Sequence, residues 1–184
     1  MNLPNQQFDI ILMDPPWSYY GQQDKWGAAA KFYSTMTDDD LINMNIGQVI
    51  HNKSIIFMWA TSPRLDFAIR LLEAWNIYYR GVAFVWVKTK KSCPQTPVGA
   101  MGVRPSFVKP TSEYVIVGSP QRKGRPQKLY DESISQIIFA PKGKHSQKPE
   151  EIQDRIDKMY PNATKLEMFA RRQRPGWVVW GNEV

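Results

Sequence analysis

Seven short apolar runs recur along the chain, and each has the length and composition of a β-strand that is buried on at least one side. Between several of these runs, apolar residues recur every three or four positions, as on one face of an α-helix. Strands that alternate with amphipathic helices predict an α/β fold with a mostly parallel sheet covered on both faces. The predicted strands are 8–14, 54–61, 79–89, 112–118, 135–140, 164–170 and 177–182.

Three helices are predicted from clear start signals. Thr37 precedes three aspartates, and a hydroxyl cap with an acidic first turn predicts a helix that continues to Ile50. Pro63 opens a second helix, whose apolar face ends at Trp75. Pro149 opens a third, which stops at the next Tyr-Pro pair.

The first apolar run stops abruptly at Asp14-Pro15-Pro16-Trp17. Two consecutive prolines hold φ at about −65° and carry no N–H group, so the carbonyl groups of Asp14 and Pro15 point in set directions. A carboxylate and a carbonyl can accept two N–H bonds from a planar exocyclic amine, while the ring of that group stacks on Trp17. Adenine carries such an amine, and these bonds would localise its nitrogen lone pair for attack on an activated methyl group.

A strand followed by a proline turn over a packed tryptophan is the simpler interpretation of the same motif. However, the motif lies at the carboxyl end of a predicted parallel strand, where ligands gather in sheets of this type. This position favours a catalytic site formed by Asp14, Pro15, Pro16 and Trp17.

The composition is that of a folded α/β protein. Of the 184 residues, 42% are hydrophobic and 12% aromatic, and we expect one catalytic domain over residues 1–184. No apolar stretch approaches the roughly 20 residues of a membrane-spanning helix, and no leader sequence is evident. Cys93 is the single cysteine, and only His51 and His145 supply imidazoles. We therefore expect a cytoplasmic protein with no disulfide, no metal and no membrane partner.

The chain carries a net charge of +7, and its sequence pI is about 9.5, which favours a partner that carries phosphate groups. The basic residues cluster in two predicted loops, 90–110 and 119–130, which we expect to bind a sugar-phosphate backbone. Solvated surface loops are the alternative. Residues 18–36 are rich in aromatic side chains and are predicted to close over a bound base as an active-site loop. The basic residues of the two loops are Lys90, Lys91, Arg104, Lys109, Arg122, Lys123, Arg125 and Lys128.

Polar residues follow the last two apolar runs. The run that includes Phe169 leads to Arg171, and the final run leads to Asn182 and Glu183. Such a strand-to-loop junction can hold a nucleoside, with the last two residues bound to ribose hydroxyls, and Lys148 beside a helix start can bind a carboxylate. A helix-flanking lysine and a polar chain end are the simpler interpretations.

Seven segments follow one another along the chain: 14–17, 32–39, 86–89, 113–118, 145–152, 165–171 and 177–182. Together they resemble the MT-A70 family of adenine-N6 methyltransferases. The family includes the catalytic subunit of the eukaryotic messenger-RNA adenosine methyltransferase and many small bacterial and phage DNA enzymes. The resemblance covers nearly the whole chain.

The resemblance implies a Rossmann-like class I methyltransferase fold with a seven-stranded sheet and a permuted motif order. It also implies S-adenosylmethionine as the methyl donor. Lys148 would hold the carboxylate of the donor, and Arg171 and Asn182 its ribose side. Asp14 would lie close to both the amino-acid part of the donor and the adenine amine. Phe169 and Glu183 complete the predicted cofactor site.

The same resemblance implies roles in acceptor binding. Trp17 and Tyr33 would flank the target base, and Glu113 would orient it. Lys88, Arg104 and Lys109 are further predicted substrate-binding residues.

We expect methyl transfer to adenine N6 in DNA rather than in RNA, because compact members of this family typically act on DNA. An RNA acceptor, a protein-glutamine acceptor and a non-catalytic nucleic-acid-binding subunit are the alternatives. Few residues precede Asp14, so we expect either a modest affinity for the donor, or a second copy of the chain or another subunit that completes the donor pocket.

Overall fold

The computed structural model describes residues 2–16, 36–99, 108–143 and 147–181. In these ranges one mixed eight-stranded sheet has the strand order β4-β3-β5-β2-β1-β7-β8, and β6 pairs with β3. The strands are β1 (Phe8–Met13), β2 (Ile50–Ala60), β3 (Tyr78–Lys90), β4 (Cys93–Pro97), β5 (Ser112–Ser119), β6 (Ile137–Pro141), β7 (Lys165–Met168) and β8 (Val178–Trp180). The α-helices are α1 (Asp38–Ile42), α2 (Leu65–Ala74) and α3 (Glu151–Met159), and short 3₁₀ helices span Ile46–Gln48 and Ser62–Arg64.

Most strands of the sheet run in one direction. β1 is parallel to β2 and β7, and β7 is parallel to β8. β5 is antiparallel to both β2 and β3, so β3 and its parallel neighbour β6 share the common direction. Only β4 and β5 run against it in the described ranges. The edge at which the six co-directional strands end is called the carboxyl edge here, and the opposite one the amino edge.

Side chains alternate between the two faces of a strand, and in β1 both faces are buried. Ile11 and Met13 pack on the same side as Leu71 of α2. Ile10 and Leu12 pack on the other side, together with the apolar face of α3. The helices therefore cover both faces, which confirms the predicted Rossmann-like α/β fold. No helix in the described ranges has the length and apolar composition needed to cross a membrane.

All seven predicted strands are present, and the structure adds β4, which lies inside the predicted loop 90–110. β4 forms an antiparallel hairpin with the end of β3. The helix predicted from Thr37 to Ile50 is wrong in its extent. The capping box of Thr37 and Asp40 is present, but the helix ends at Ile42, a separate 3₁₀ helix spans Ile46–Gln48, and Ile50 already pairs with Phe8 in the sheet.

Candidate active site

Four charged side chains converge at the carboxyl edge of the sheet. Asp14 follows the last residue of β1, and Lys88 lies near the end of β3. Because β5 is antiparallel, its first residues share this edge, and Glu113 stands opposite Trp86 of β3. Lys148 comes from the segment that leads into α3.

These four side chains form one connected ionic cluster. The Lys148 ammonium donates to Asp14 Oδ1 and Oδ2 at 3.0 and 2.9 Å, and it lies 3.4 Å from Glu113 Oε2. The Lys88 ammonium lies 2.7 Å from Glu113 Oε1. Two carboxylates are thereby balanced by two ammonium groups. The described residues contain no group of three or more His, Cys, Asp or Glu side chains arranged to hold a metal ion.

Glu113 is ionised at neutral pH. Burial raises its pKa, but the neighbouring Lys148 and Lys88 ammonium groups outweigh burial and hold the pKa below the ordinary value of 4.5. Its side chain is 14% exposed, so both lysines act on it with little screening by water. Glu113 can therefore accept hydrogen bonds but holds no proton to donate.

Two buried indole rings support the ionic cluster. Lys148 Nζ lies 5.4 Å from the ring centroid of Trp59, and Lys88 Nζ lies 5.2 Å from that of Trp86. The rings pack edge to face at 6.0 Å, and Trp86 Nε1 donates to the Ala140 carbonyl at 2.8 Å. Both ammonium groups thus gain cation–π contacts. Sequence reasoning missed Trp59, although its position near the end of a predicted strand was a usable signal.

The junction of β7 and β8 lies beside Asp14 and forms one wall of the candidate active site. Met168 pairs with Met13, so Phe169 and Asp14 are the next residues on neighbouring parallel strands. Phe169 has a φ of 60°, a left-handed conformation that is uncommon for a residue with a side chain and concentrates at functional sites. Its ring packs edge to face on Trp180 at 5.4 Å.

Glu167 is a further carboxyl group near Asp14 that sequence reasoning did not single out. Burial raises its pKa above the ordinary value of 4.5, and the Asp14 charge raises it further. The hydrogen bond from Gln153 and the Arg172 and Arg174 charges oppose this rise without cancelling it. Gln153 Nε2 lies 3.3 Å from each carboxyl oxygen.

Arg172 and Arg174 fasten the β7–β8 loop to α3. Arg172 pairs with Glu150 beside the first residue of the helix. Arg174 Nη2 donates to Asp154 Oδ1 at 2.6 Å and to Asp157 Oδ2 at 3.1 Å. The loop that follows Phe169 is thus held against the helix that follows Lys148.

The structure brings together the predicted residues Asp14, Lys88, Glu113, Lys148 and Phe169. Pro15 is buried next to Asp14, and the Pro16 carbonyl accepts a hydrogen bond from Met36 N at 3.1 Å, which joins the two ends of the intervening segment. Lys109 precedes β5 at this edge, and Arg171 follows β7. Five predicted site residues lie outside the described residues: Trp17, Tyr33, Arg104, Asn182 and Glu183. So does most of the predicted active-site loop 18–36.

The predicted nucleic-acid-binding loop 119–130 is not brought to the ionic cluster. It leaves β5 at the amino edge, because β5 runs against β1. Gln127 of this loop donates to Asp9 Oδ1 at 3.0 Å, and Asp9 lies at the start of β1. The loop therefore packs at the end of β1 opposite Asp14.

Comparison with known proteins gives the family. Residues 8–183 match the MT-A70 family model. Type II methyltransferase M.MunI from Mycoplasma sp is 30% identical over 200 aligned residues, which cover 99% of this chain and 80% of M.MunI. N(6)-adenosine-methyltransferase catalytic subunit METTL3 from Homo sapiens is 28% identical over 180 residues, which cover 97% of this chain and 28% of METTL3.

A plant relative matches this chain to a similar extent. N(6)-adenosine-methyltransferase MT-A70-like from Arabidopsis thaliana is 28% identical over 179 residues, covering 96% of this chain and 24% of the relative. The chain thus spans most of M.MunI but only about a quarter of the eukaryotic relatives. These matches confirm the family predicted from the sequence: the chain belongs to the MT-A70 family of adenine-N6 methyltransferases.

Proposed function

We propose that this chain transfers a methyl group to the N6 amine of adenine in DNA, with S-adenosylmethionine as the methyl donor. The observation that carries the proposal is the ion pair of Asp14 and Lys148 at the carboxyl edge, beside the ionised Glu113. This arrangement offers charges of both signs and oriented acceptors in one partly buried place.

The ion pair is complementary to the amino-acid part of the donor. S-adenosylmethionine, when bound, supplies the methyl group, and its amino-acid part carries one ammonium and one carboxylate. Asp14 and Lys148 carry the opposite charges 2.9 Å apart, so each can exchange its protein partner for a group of the ligand. Phe169, Arg171, Asn182 and Glu183 are the proposed contacts of the nucleoside part.

The acceptor side uses groups that accept hydrogen bonds. The Asp14 carboxylate and the Pro15 carbonyl would accept the two N–H bonds of the adenine amine. The neutral amine needs no strong base before it reacts, so orientation supplies most of the rate. The proton that N6 then loses can pass to a carboxylate oxygen of Asp14 or to water. Glu113, as an ionised acceptor, would orient the base, and Trp17 and Tyr33 are the proposed stacking partners.

DNA is the proposed acceptor because M.MunI, a type II methyltransferase, is matched over 80% of its length. An adenosine-N6 methyltransferase that acts on RNA is the second candidate, since METTL3 is 28% identical to this chain. The net charge of +7 supports either nucleic acid over a protein acceptor. A target base within a duplex must leave the base stack to reach the edge of the sheet, which requires a few kcal/mol.

The test is transfer of a labelled methyl group from S-adenosylmethionine to DNA, RNA and a glutamine-containing peptide by this chain alone. We expect adenine-N6 methylation of DNA, little labelling of RNA and none of the peptide. Asp14→Ala should abolish transfer even at donor concentrations that saturate the variant, as measured by calorimetry, because the adenine amine loses its carboxylate acceptor.

Results of this assay that differ from the expected ones would point to the other candidate functions. Faster labelling of RNA would replace DNA with the second candidate. Full activity of Asp14→Ala would refute the role given to this carboxylate. A wild-type chain that binds nucleic acid and donor but labels none of the acceptors would indicate a non-catalytic subunit.

A further inference from the structure

The amino edge of the sheet carries a second concentration of basic and aromatic side chains, far from the ionic cluster. Arg122, Lys123 and Lys128 are exposed in the loop after β5. Tyr78 at the start of β3 and Tyr130 are 48% and 50% exposed, so both rings are accessible to a ligand. We call these five residues the amino-edge patch.

Cations and rings are paired within the amino-edge patch. The guanidinium carbon of Arg122 lies 5.8 Å from the ring centroid of Tyr78, and Lys128 Nζ lies 4.7 Å from that of Tyr130. Surfaces that bind nucleic acid without reading its sequence combine positive charge along the backbone with rings on which bases stack. The amino-edge patch has both components side by side.

The loop that displays the patch is held in place by hydrogen bonds. Arg80 of β3 donates to the carbonyl groups of Gln121 and Gly124, each at 2.8 Å. Gln121 Nε2 donates to the Lys123 carbonyl at 2.6 Å, and Gly124 adopts a φ of 74° that closes the turn. Because these bonds order the backbone in advance, a ligand would not have to order it on binding.

The carboxylates near the amino-edge patch are bound to other residues, so they do not neutralise the positive charge of the patch. Glu132 pairs with Arg125 at 2.6 Å, outside the patch, and Asp131 accepts hydrogen bonds from Ser133. Asp9 is bound by Thr164, His51 and Gln127. Within the described ranges, no carboxylate forms a salt bridge with the cations of the patch.

The sheet itself sets the distance between the patch and the reacting base. β5 runs from Glu113 at the carboxyl edge to Ser119 at the amino edge, which is roughly 20 Å at about 3.3 Å per residue. Along a DNA duplex, with a rise of about 3.4 Å per base pair, this corresponds to about six base pairs. A polynucleotide whose target base lies at Asp14 reaches the patch only if it extends at least this far.

We propose that the amino-edge patch is a second nucleic-acid-binding surface, which holds the phosphate backbone of the substrate at a distance from the target adenine. The proposal rests on the proposed function, in that the bound polymer is also the methyl acceptor. Its consequence is that the affinity for DNA grows with the length of the flanks, because only long substrates engage both sites. The patch contributes to binding and not to the methyl-transfer step.

The test compares two substrates with the same central adenine, a duplex of about 40 base pairs and one of about 8. The arms of the short duplex extend about 14 Å from the target and stop short of the patch. Arg122→Glu/Lys123→Glu should raise KM for the long duplex at least tenfold and leave kcat unchanged. KM for the short duplex should not change. The slope of log affinity against log salt for the long duplex should decrease by about two, since about 0.9 is lost per phosphate contact.

A matched pair of variants controls for the loss of charge alone. Arg122→Gln and Arg70→Gln each remove one exposed cation, but Arg70 lies on α2, away from the patch. Only Arg122→Gln should weaken binding of the long duplex. An unchanged KM for the long duplex in the double variant, or an equal rise for both duplexes, would overturn the proposal.

The proposal and the proposed function can fail separately. Fluorescence anisotropy of labelled duplexes measures binding without any methyl transfer. If the chain proves inactive on DNA, loss of long-duplex binding in Arg122→Glu/Lys123→Glu would still support the patch, and unchanged binding would still refute it.

Discussion

Lys148 donates to both carboxylate oxygens of Asp14, at 3.0 and 2.9 Å. The residue expected to contact the adenine amine is thus neutralised by the residue expected to contact the donor carboxylate. Lys148 also lies 3.4 Å from Glu113, so one ammonium group joins the two carboxylates of the candidate active site. Changes at Lys148 should therefore affect donor binding most directly.

Lys148→Met should weaken the binding of S-adenosylmethionine by about 10- to 100-fold. A hydrogen bond to a charged group contributes about 1.5–3 kcal/mol, and each 1.4 kcal/mol is a factor of ten in affinity. Titration calorimetry with the donor alone measures this directly. Lys158→Met, at an exposed position on α3, is the matched control and should bind the donor like the wild type. Equal donor affinity in both variants would contradict the role of Lys148.

Gly181→Ala should destabilise the wall formed by β7 and β8. A Cβ atom at Gly181 would lie 2.2 Å from the Ala170 carbonyl oxygen and 2.7 Å from its nitrogen, so backbone would have to move. Such overpacking destabilises a protein by about 1–3 kcal/mol, and each 1 kcal/mol lowers Tm by about 2–4 °C at this size. Thermal unfolding measures the loss, which should be accompanied by weaker donor binding.

Gly99→Ala is the control for this substitution, because no heavy atom lies within 4 Å of the added Cβ. It should unfold at the wild-type temperature. A Gly181→Ala variant with wild-type Tm and donor affinity would show that the backbones at residues 170 and 181 can move apart without loss of stability or donor binding.

The sequence was sufficient to predict the parts of the site that are encoded locally. Asp14 follows an apolar run and precedes two prolines, so both the strand and its end can be predicted from adjacent residues. The Lys148–Asp14 contact joins residues 134 positions apart, and no local pattern specifies it. The predicted roles of Trp17 and Tyr33 stay predictions, as does the cytoplasmic location.

The direction of β5 explains the main difference between the predicted and the observed arrangement. Apolar periodicity identifies a strand but carries no information on whether its neighbours are parallel or antiparallel. Because β5 is antiparallel to β2, Glu113 lies at the carboxyl edge, whereas the basic loop 119–130 begins at the amino edge. The sequence therefore locates a basic loop along the chain but not the edge of the sheet on which it lies, and the role of this loop in binding nucleic acid stays a prediction.

Glu167→Gln should stabilise the protein at neutral pH. Burial raises the pKa of Glu167 above 4.5, so the folded state binds a proton there more tightly than the unfolded chain. The favourable contribution of the protonated form is fully present below pH 4.5 and is lost as pH rises through the folded-state pKa. A neutral glutamine avoids this loss, and its amide could donate to Gln153 Oε1, which has no hydrogen-bond partner in the described part of the chain.

Thermal unfolding at pH 7.5 and 4.5 checks the sign of this effect. The gain in Tm from Glu167→Gln should be present at pH 7.5 and small at pH 4.5. Glu73→Gln, at an exposed position on α2, should change Tm little at either pH. A lower Tm for Glu167→Gln at pH 7.5 would mean that the charged carboxylate stabilises the fold.

Arg174→Met should raise KM for S-adenosylmethionine while kcat at saturating donor changes little. Arg174 is 17% exposed and binds Asp154 and Asp157 of α3, so its removal leaves two carboxylates without this partner and weakens the attachment of the loop that follows Phe169. Arg174 does not itself belong to the ionic cluster, and it acts by positioning the wall next to Asp14. Steady-state kinetics with varied donor separate KM from kcat.

Arg125→Met is the matched control, because Arg125 and Glu132 form a similar ion pair in which both side chains are 67% exposed. Exposed pairs of this kind contribute about 0–1 kcal/mol, and this pair lies far from the β7–β8 junction. Donor KM should therefore be unchanged in Arg125→Met. If Arg174→Met lowered kcat at saturating donor without raising KM, the arginine would have to act on the transfer step, and a purely positioning role would be excluded.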